Sequence, residues 1–295
     1  MPHLAVTKTY KLYVGGKFPR SESGRTYPVR DSGGSLLANA ALASRKDGRD
    51  AVAAARKGHT AWARATPYNR GQVTYRVAEM LEGRRAEFVR LLADTRGYVA
   101  ARADAEVDAA VDRLVHYAGW TDKLSAVFGG ANPVSAPFFS YTAPEPTGVV
   151  AVVAPVDAPL LGLVSVVAPV ITSGNACVVV GAEADPCTAV TFAEVLATSD
   201  LPGGVVNLLT GRAAEIAPYL ASHADVNALD LTGAEPELRL ALEQAAAGTV
   251  KRVYVPRGTP DFVAAPGTAR LRAFLEMKTV WHPTGALSLS GGTSY

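Results

Sequence analysis

A single carboxylate interrupts an apolar stretch in the middle of the chain. The segment VVAPVDAPLLG, residues 152–162, has Asp157 as its one charged residue, set between Pro155 and Pro159. Such a carboxylate either takes part in catalysis or accepts hydrogen bonds from nearby backbone N–H groups. Aspartate is a favoured N-cap residue, and proline is favoured in the first turn of a helix. From the residues alone, we expect Asp157 to cap a helix that begins near Pro159.

The two cysteines are the candidate thiol nucleophiles. Cys177 lies in the apolar run ACVVV, which is typical of a buried strand, and Cys187 follows Pro186 at the expected start of a helix. A helix N-terminus modestly favours a thiolate. Neither cysteine has a histidine or an acidic base near it in a recognisable arrangement. We therefore expect both to be small core residues, and two cysteines are too few for a disulfide framework.

Other chemical signals in the sequence are weak. It contains no GxGxxG, P-loop, HExxH or CxxC motif, and its five histidines are scattered. His59 and His116 fall in helical segments, where packed or surface positions are expected. Asp104, Glu106 and Asp108 stand near the start of a predicted helix, where they suit its dipole, and we expect them to form a solvated face. No metal site is predicted.

The elements that must position these residues differ between the two halves of the chain. In the first half, YKLYVGGKF at 10–18 has the pattern of a hairpin around its glycine pair. Helical periodicity follows in three stretches: a first with its apolar stripe through Val52 and Trp62, a second at 67–95 that breaks near Gly83, and a third at about 100–126.

In the second half, apolar strands alternate with helices of about a dozen residues. FFSYTA and GVVAVVA predict strands, and ACVVV, VVNLL, VNALDL and VKRVYV then follow one helix each. This alternation predicts an α/β fold with a doubly wound parallel sheet. Near the end, FLEMKTVWHP at 274–283 predicts one more strand.

Composition narrows the class of protein. A chain of 295 residues can form one large domain or two ordinary ones, and its net charge of +2 comes from interspersed charges. This balance indicates neither a nucleic-acid partner nor a membrane-surface partner. The longest apolar stretch, 148–173, is interrupted by prolines and a carboxylate, so it is not expected to span a membrane. The N-terminus has no secretory pattern, and we expect a cytoplasmic protein.

Together these segments resemble the aldehyde dehydrogenase superfamily. KLYVGGKF, DAVAAARKGHTAWA, EVDAAVDRLVHYAGWTDKL and EPTGVVAVVAP follow the N-terminal half of that family in order, and so do SGNACVVVGAEADPCTA, LPGGVVNLLTG and HADVNALDLTG. FLEMKTVWHP is similar to the family's C-terminal oligomerisation strand. The resemblance implies a Rossmann-like doubly wound parallel sheet with an N-terminal helical layer and oligomerisation strands.

The resemblance also implies a domain organisation. Residues 1–255 correspond to an N-terminal, cofactor-binding-like domain, and 256–272 form a short linker where the family has its catalytic domain. The strands at 138–148 and 273–283 correspond to oligomerisation strands. The chain as a whole is most similar to the degenerate second module of the two-domain aldehyde dehydrogenases.

The family's catalytic groups are missing from their positions. Asp157 stands where the family's Pro-Trp-Asn-Phe-Pro motif has an asparagine, whose amide stabilises the oxyanion; a carboxylate has no N–H to donate there unless its pKa is strongly raised. Pro256 stands where Glu-Leu-Gly-Gly-Lys supplies the general base, and no Gly-Gln-x-Cys motif is present. We expect no catalytic residue in this chain.

Part of the family's cofactor site is retained. Val180 replaces a lysine that holds the adenosine ribose, whereas Glu183 matches the glutamate beside it, and Thr232 and Gly233 match the Thr-Gly pair after a strand. Glu183, Thr232 and Gly233 are therefore the candidate cofactor-binding residues, as vestiges. No cofactor is expected, and NAD(P) is the expected cofactor if one binds.

The phosphate end of that site is altered. Ala234 replaces the family's serine, and Leu238 replaces a glycine that lets the helix approach the pyrophosphate. Glu235 and Glu237 flank the start of the same helix. Carboxylates there satisfy the helix dipole internally and repel a diphosphate.

Three functions remain open. The first is a catalytically inactive subunit that acts in assembly or regulation, as a homo-oligomer or with a full-length aldehyde dehydrogenase. The second is a working NAD(P)-dependent aldehyde oxidoreductase with unrelated catalytic groups. The third is a nucleotide-binding sensor without catalysis. In the first hypothesis FLEMKTVWHP pairs across subunits; the alternative is that it folds back onto its own sheet and fills the space of the missing domain.

Overall fold

The structure is a computed structural model that describes residues 7–284. The elements of the first part are, in chain order, β1 (Thr9–Tyr10), β2 (Thr26–Arg30), β3 (Leu36–Ala41), α1 (Arg45–Trp62), α2 (Pro67–Gly83), α3 (Arg85–Arg96), α4 (Ala100–Ala118) and α5 (Leu124–Phe128). Those of the second part are β4 (Gly130–Asn132), β5 (Phe138–Pro146), β6 (Val149–Val153), α6 (Leu161–Thr172), β7 (Ala176–Val180), α7 (Pro186–Ala197), β8 (Val206–Leu209), α8 (Ala213–Ser222), β9 (Ala228–Asp230), α9 (Pro236–Ala247), β10 (Arg252–Tyr254), α10 (Ala269–Ala273) and β11 (Leu275–Pro283).

Five parallel strands form the central sheet, in the order β10-β9-β6-β7-β8. Successive residues of a strand point into two separate core clusters: in β6, Val150 and Val152 belong to one cluster and Ala151 to the other. Because both faces are covered, the strands are apolar along their whole length. The expected Rossmann-like, doubly wound α/β fold is confirmed.

Helices cover both faces of this sheet. On one face, α6 and α7 are backed by α2, α3 and α4, while α1 and α8 pack on the opposite face. The expected N-terminal helical layer is therefore divided, because α1 lies on the other side of the sheet from α2–α4. Every residue of α6 is buried. Even so, no helix within residues 7–284 is both long and apolar enough to cross a membrane.

The N-terminal segments follow their predicted patterns with two changes. Val14 and Lys17 close a tight turn in which Gly15 and Gly16 have φ angles of 61° and 80°, but Tyr13 pairs with Leu208 of β8 instead of continuing a long hairpin. The third predicted helix is divided, since α4 ends at Ala118 and α5 begins at Leu124. The predicted break of the second helix near Gly83 is confirmed.

A separate three-stranded antiparallel sheet, in the order β11-β5-β4, extends from the main domain. We call it the arm sheet. The predicted strand in FLEMKTVWHP is confirmed as β11, and it pairs with β5 of the same chain from Leu275↔Pro146 to Pro283↔Phe138. The alternative that this strand folds back onto its own chain holds to the extent that its intrachain partner is β5, which belongs to the arm sheet and not to the parallel sheet.

The start of α6 is capped by a side chain from α4, and this corrects one prediction. Glu106 is 9% exposed, and its Oε1 accepts hydrogen bonds from the backbone N–H groups of Leu160 (2.9 Å) and Leu161 (3.2 Å). The interpretation of Glu106 as part of a solvated face is wrong. Sequence periodicity placed this residue at the helix start but could not show the second helix that packs against it.

Replacing Glu106 should test this cap. Glu106→Ala leaves two buried N–H groups without an acceptor and should lower the free energy of unfolding by about 1–3 kcal/mol. Glu106→Gln retains an acceptor oxygen and should lose less. Asp112→Ala, at an exposed position of the same helix, should change stability by less than about 0.5 kcal/mol. Urea denaturation measures all three, and equal losses for Glu106→Ala and Asp112→Ala would contradict the cap.

Glu106 should also leave a signature in the pH dependence of stability. Burial raises the pKa of Glu106, and the two backbone hydrogen bonds only partly offset the rise. Between the ordinary carboxyl pKa and the raised folded pKa, the folded state thus holds a proton that the unfolded state has lost. This group's contribution to stability is full below the ordinary pKa and is lost as pH rises through the raised folded pKa. Glu106→Gln should remove that part of the pH dependence.

Candidate functional site

The candidate site lies beside β6, where the order in which the chain adds strands to the parallel sheet reverses. The chain runs outward from β6 through β7 to β8, then returns to place β9 and β10 on the other side of β6. The loops after β6 and β9 diverge at this switch point, which is where open α/β sheets bind their ligands. Both loops line a cavity of about 230 Å³, together with part of the segment 256–262. We call this cavity the switch-point crevice.

Asp157 lines the crevice but caps nothing. It is exposed, α6 begins at Leu161, and the residue before it makes no side-chain cap. The expectation that Asp157 caps a helix near Pro159 is wrong, because Glu106 already satisfies that end of the helix. Within residues 7–284 its carboxylate accepts no hydrogen bond, and it faces a crevice that the neighbouring Glu235 also lines.

Thr232 and Gly233 lie in the crevice wall with their polar groups already engaged. The N–H of Gly233 donates to the carbonyl of Val153 at 2.9 Å, and a Cβ on Gly233 would stand 2.0 Å from the carbonyl oxygen of Ala154. Glycine is therefore required here for contact between the two loops. The N–H and hydroxyl of Thr232 both donate to Asp230. Neither residue keeps a backbone N–H free for a phosphate.

A buried ion pair underlies this wall, and the sequence analysis missed it. Arg270 Nη1 donates to Asp230 Oδ2 and to the Thr232 hydroxyl, while its guanidinium lies 4.5 Å from the centre of the Tyr254 ring. Asp230 is fully buried and Arg270 is 9% exposed. No local pattern links an aspartate at the end of a strand to an arginine forty positions later. The signal that could have raised the question was a lone acid in the buried run VNALDL.

Glu183 is not brought to the crevice. It is exposed, and its carboxylate lies 3.4 Å from the guanidinium of Arg212. Val180, at the position of the family's lysine, is buried in the core. The structure thus brings Thr232 and Gly233 together with Asp157 and leaves Glu183 apart. One cation, Arg239 of α9, does line the crevice, and sequence reasoning did not single it out.

The segment 256–262 forms one wall of the crevice. Pro256, Gly258 and Phe262 are part of its lining, and Phe262 also packs into the larger core cluster. The segment is held in place by Arg113 of α4, whose Nη2 donates to the carbonyl of Phe262 at 2.6 Å. The segment therefore forms one side of the crevice, and the engaged N–H groups of Thr232 and Gly233 do not fit a diphosphate.

Both cysteines are buried, and neither thiol is activated by its surroundings. Cys177 and Cys187 are fully inaccessible and unpaired. Burial, with the nearby charge of Asp185, raises the pKa of Cys187 to about 12, and burial alone raises that of Cys177. The expectation that both are core residues is confirmed. Within residues 7–284, no cluster of three or more His, Cys, Asp or Glu side chains could hold a metal ion.

Comparison with known proteins identifies the family. The model of the "Aldehyde dehydrogenase family" matches residues 18–276. The chain belongs to the aldehyde dehydrogenase family. Cytosolic 10-formyltetrahydrofolate dehydrogenase of Xenopus tropicalis is 30% identical over 264 residues, which cover 87% of this chain and 29% of that protein. Aldehyde dehydrogenase, cytosolic 1 of Elephantulus edwardii is 32% identical over 256 residues, which cover 85% of this chain and 50% of that protein.

A solved relative shows the same fold. The NAD+ complex of an aldehyde dehydrogenase from Bacillus cereus superposes with a TM-score of 0.78 at 27% identity, covering 83% of this chain and 50% of that one. The chain thus spans half or less of the length of these relatives. The resemblance that the sequence segments indicated is confirmed at the level of the family and the fold.

Breaking the buried ion pair should be costly. Arg270→Ala leaves the Asp230 carboxylate buried without its partner and should lower the free energy of unfolding by about 3–5 kcal/mol. The double variant Asp230→Ala/Arg270→Ala removes both charges and should lose less than the sum of the single variants. Arg257→Ala is the control, at an exposed position of the same segment. Denaturant unfolding gives the coupling energy, and strict additivity would contradict the pairing.

Proposed function

We propose that this chain is a catalytically inactive aldehyde dehydrogenase-like subunit that acts in assembly or regulation. It works either with itself or, as we favour, with a full-length aldehyde dehydrogenase. In this proposal the subunit is cytoplasmic, as the word "cytosolic" in the names of two relatives suggests for them. The observation that carries the proposal is the switch-point crevice, where Thr232 and Gly233 use their N–H groups within the chain and Asp157 and Glu235 place two carboxylates in the lining.

The state of the chemical groups supports inactivity. Asp157 offers a carboxylate where an oxyanion needs an N–H donor, and Pro256 has no side chain that can accept a proton. The thiols of Cys177 and Cys187 are protonated at neutral pH because burial raises the pKa of each. An active NAD(P)-dependent oxidoreductase would need replacements for all three roles. A nucleotide sensor would need Thr232 and Gly233 to release their internal hydrogen bonds.

The arm sheet supports assembly. β11 is at the edge of that sheet, and every residue of β11 after Leu275 is exposed. Trp281 is 56% exposed and Phe139 is 49% exposed, while Phe138 meets Trp281 edge to face at 5.9 Å. A long strand with an unpaired edge and apolar side chains is a template for another chain. A second subunit that pairs with this edge and covers these aromatic rings would remove both liabilities.

The first test is enzymatic activity. The isolated chain, at high concentration with NAD or NADP and a panel of aldehydes, should form no NAD(P)H above the rate without protein. A full-length aldehyde dehydrogenase under the same conditions is the positive control. Turnover by this chain that persists in Cys177→Ala and disappears in Cys187→Ala would overturn the proposed inactivity.

The second test is assembly through the arm sheet. Wild type should scatter light as a species larger than one chain, alone or after mixing with a full-length aldehyde dehydrogenase from the same host. Trp281→Lys places a charge on the arm sheet and should abolish that species. Tyr68→Lys is the matched control, an aromatic residue of α2 that is 73% exposed. A wild type that stays monomeric in both settings, or equal loss in both variants, would contradict assembly through the arm.

A further inference from the structure

A second cavity, of about 350 Å³, is also roofed by the segment that follows β10. Its floor is formed by Arg113 and Tyr117 of α4 and by Ser165 of α6, and its walls include Tyr254 and Arg270. We call it the linker cavity. Its roof, residues 256–267, belongs to the stretch that stands where the family has its catalytic domain, so the enclosure is a product of this chain's own connection. Its volume suits a small metabolite.

Arg113 is a buried cation without a carboxylate partner. It is 8% exposed, and no carboxylate oxygen of residues 7–284 lies within 4.0 Å of its guanidinium. Its hydrogen bonds go to neutral groups, namely Ser165 Oγ at 3.2 Å and the carbonyls of Phe262 and Ala264. Buried charges are ordinarily paired, because removing an ion from water is costly. Arg113 therefore lines the cavity with no carboxylate in contact, and Asp261 of the same lining attracts it only from beyond 4.0 Å.

Two further groups in the linker cavity can bind an anion. Tyr117 is 2% exposed, and its hydroxyl has no hydrogen-bond partner among residues 7–284. Burial raises the pKa of Tyr117, with Arg270 and Arg113 partly offsetting the rise, so the hydroxyl keeps its proton and can donate it. Arg270 uses Nη1 for Asp230 and Thr232, while its Nε and Nη2 have no acceptor within the same residues.

The lining of the linker cavity carries more positive than negative charge. Asp261 is the one carboxylate in the lining, and its Oδ1 already accepts from the backbone N–H groups of Val263 and Ala264. The same lining contains three cations, Arg113, Arg257 and Arg270. The remaining lining is largely apolar, with Tyr254, Phe262 and several prolines and alanines, and this favours an anion that carries a hydrophobic body.

We propose that the linker cavity binds a small carboxylic acid as its anion, with Arg113 as the counter-ion and Tyr117 as a second donor. A planar carboxylate matches the fork of a guanidinium and can accept from the tyrosine hydroxyl at the same time. The apolar walls would take the hydrocarbon part of the ligand. This inference goes beyond the proposed subunit role and needs neither catalysis nor the arm sheet.

Calorimetric titration of the full chain with benzoate tests the proposal, at constant ionic strength and with inorganic phosphate as the second probe. Benzoate should bind at millimolar or lower concentration, and phosphate should bind more weakly. Tyr117→Phe removes one hydroxyl without changing the packing and should weaken benzoate binding about tenfold. Arg113→Lys, which keeps the charge but loses the fork, should weaken it further. Tyr75→Phe, at a half-exposed tyrosine of α2 outside the cavity, is the control.

Three results of this titration would count against the proposal. No binding of benzoate to the wild type at millimolar concentration overturns the proposal, as does binding that Tyr117→Phe and Arg113→Lys leave unchanged. Tighter binding of phosphate than of benzoate overturns the assignment to a carboxylic acid. If Arg113→Lys fails to fold, as circular dichroism would show, Tyr117→Phe alone decides. A monomeric wild type in light scattering would contradict the assembly role and would leave this result unaffected.

Discussion

The buried ion pair between Asp230 and Arg270 is the interaction on which the rest of this structure depends. Asp230 ends the strand β9 at full burial, and a carboxylate there requires a partner. That partner comes from α10, so the chain after β10 must cross the carboxyl edge of the parallel sheet to deliver it. The crossing brings segment 256–262 to the crevice, and residues 256–267 also line the linker cavity.

The same crossing of the chain over the sheet edge sets the position of the arm sheet. Directly after α10, Phe274 is fully buried, and its carbonyl accepts from Asn175 Nδ2 at 2.8 Å. This fixes the start of β11 beside β5, and the ion pair of Arg252 with Glu276 adds an exposed contact there. The connection after β10 thus crosses the carboxyl edge of the parallel sheet and places β11 at the edge of the arm sheet.

Much of the fold could be predicted from the sequence, because its signals are local. Apolar runs such as ACVVV and the breaks at Gly83 and Gly15-Gly16 mark elements by periodicity and turn chemistry. What could not be predicted are contacts between residues far apart in the chain. The sequence pattern placed Glu106 on a solvated helix face, because it did not show that α6 packs against that helix. It predicted Asp157 as the cap of α6, because it did not show that Glu106 accepts the hydrogen bonds at that end of the helix.

The candidate site shows the same limit. The resemblance assigned Thr232, Gly233 and Glu183 to a cofactor site, but it carried no information on which hydrogen bonds they make here. Thr232 and Gly233 turn out to serve loop packing, and Glu183 pairs with Arg212 at the surface. Arg270 and Arg113 went unnoticed because a buried arginine has no sequence signature. Its burial depends on the whole of the enclosing fold.

The most direct test of this account is a calorimetric titration of NAD into the purified chain. In the crevice, Thr232 and Gly233 have no N–H free for a diphosphate, and the carboxylates of Asp157 and Glu235 repel one. The account predicts no measurable heat of binding, or at most an affinity weaker than millimolar. A micromolar dissociation constant would contradict it, because a dinucleotide could bind that tightly only if Thr232 and Gly233 gave up their internal hydrogen bonds.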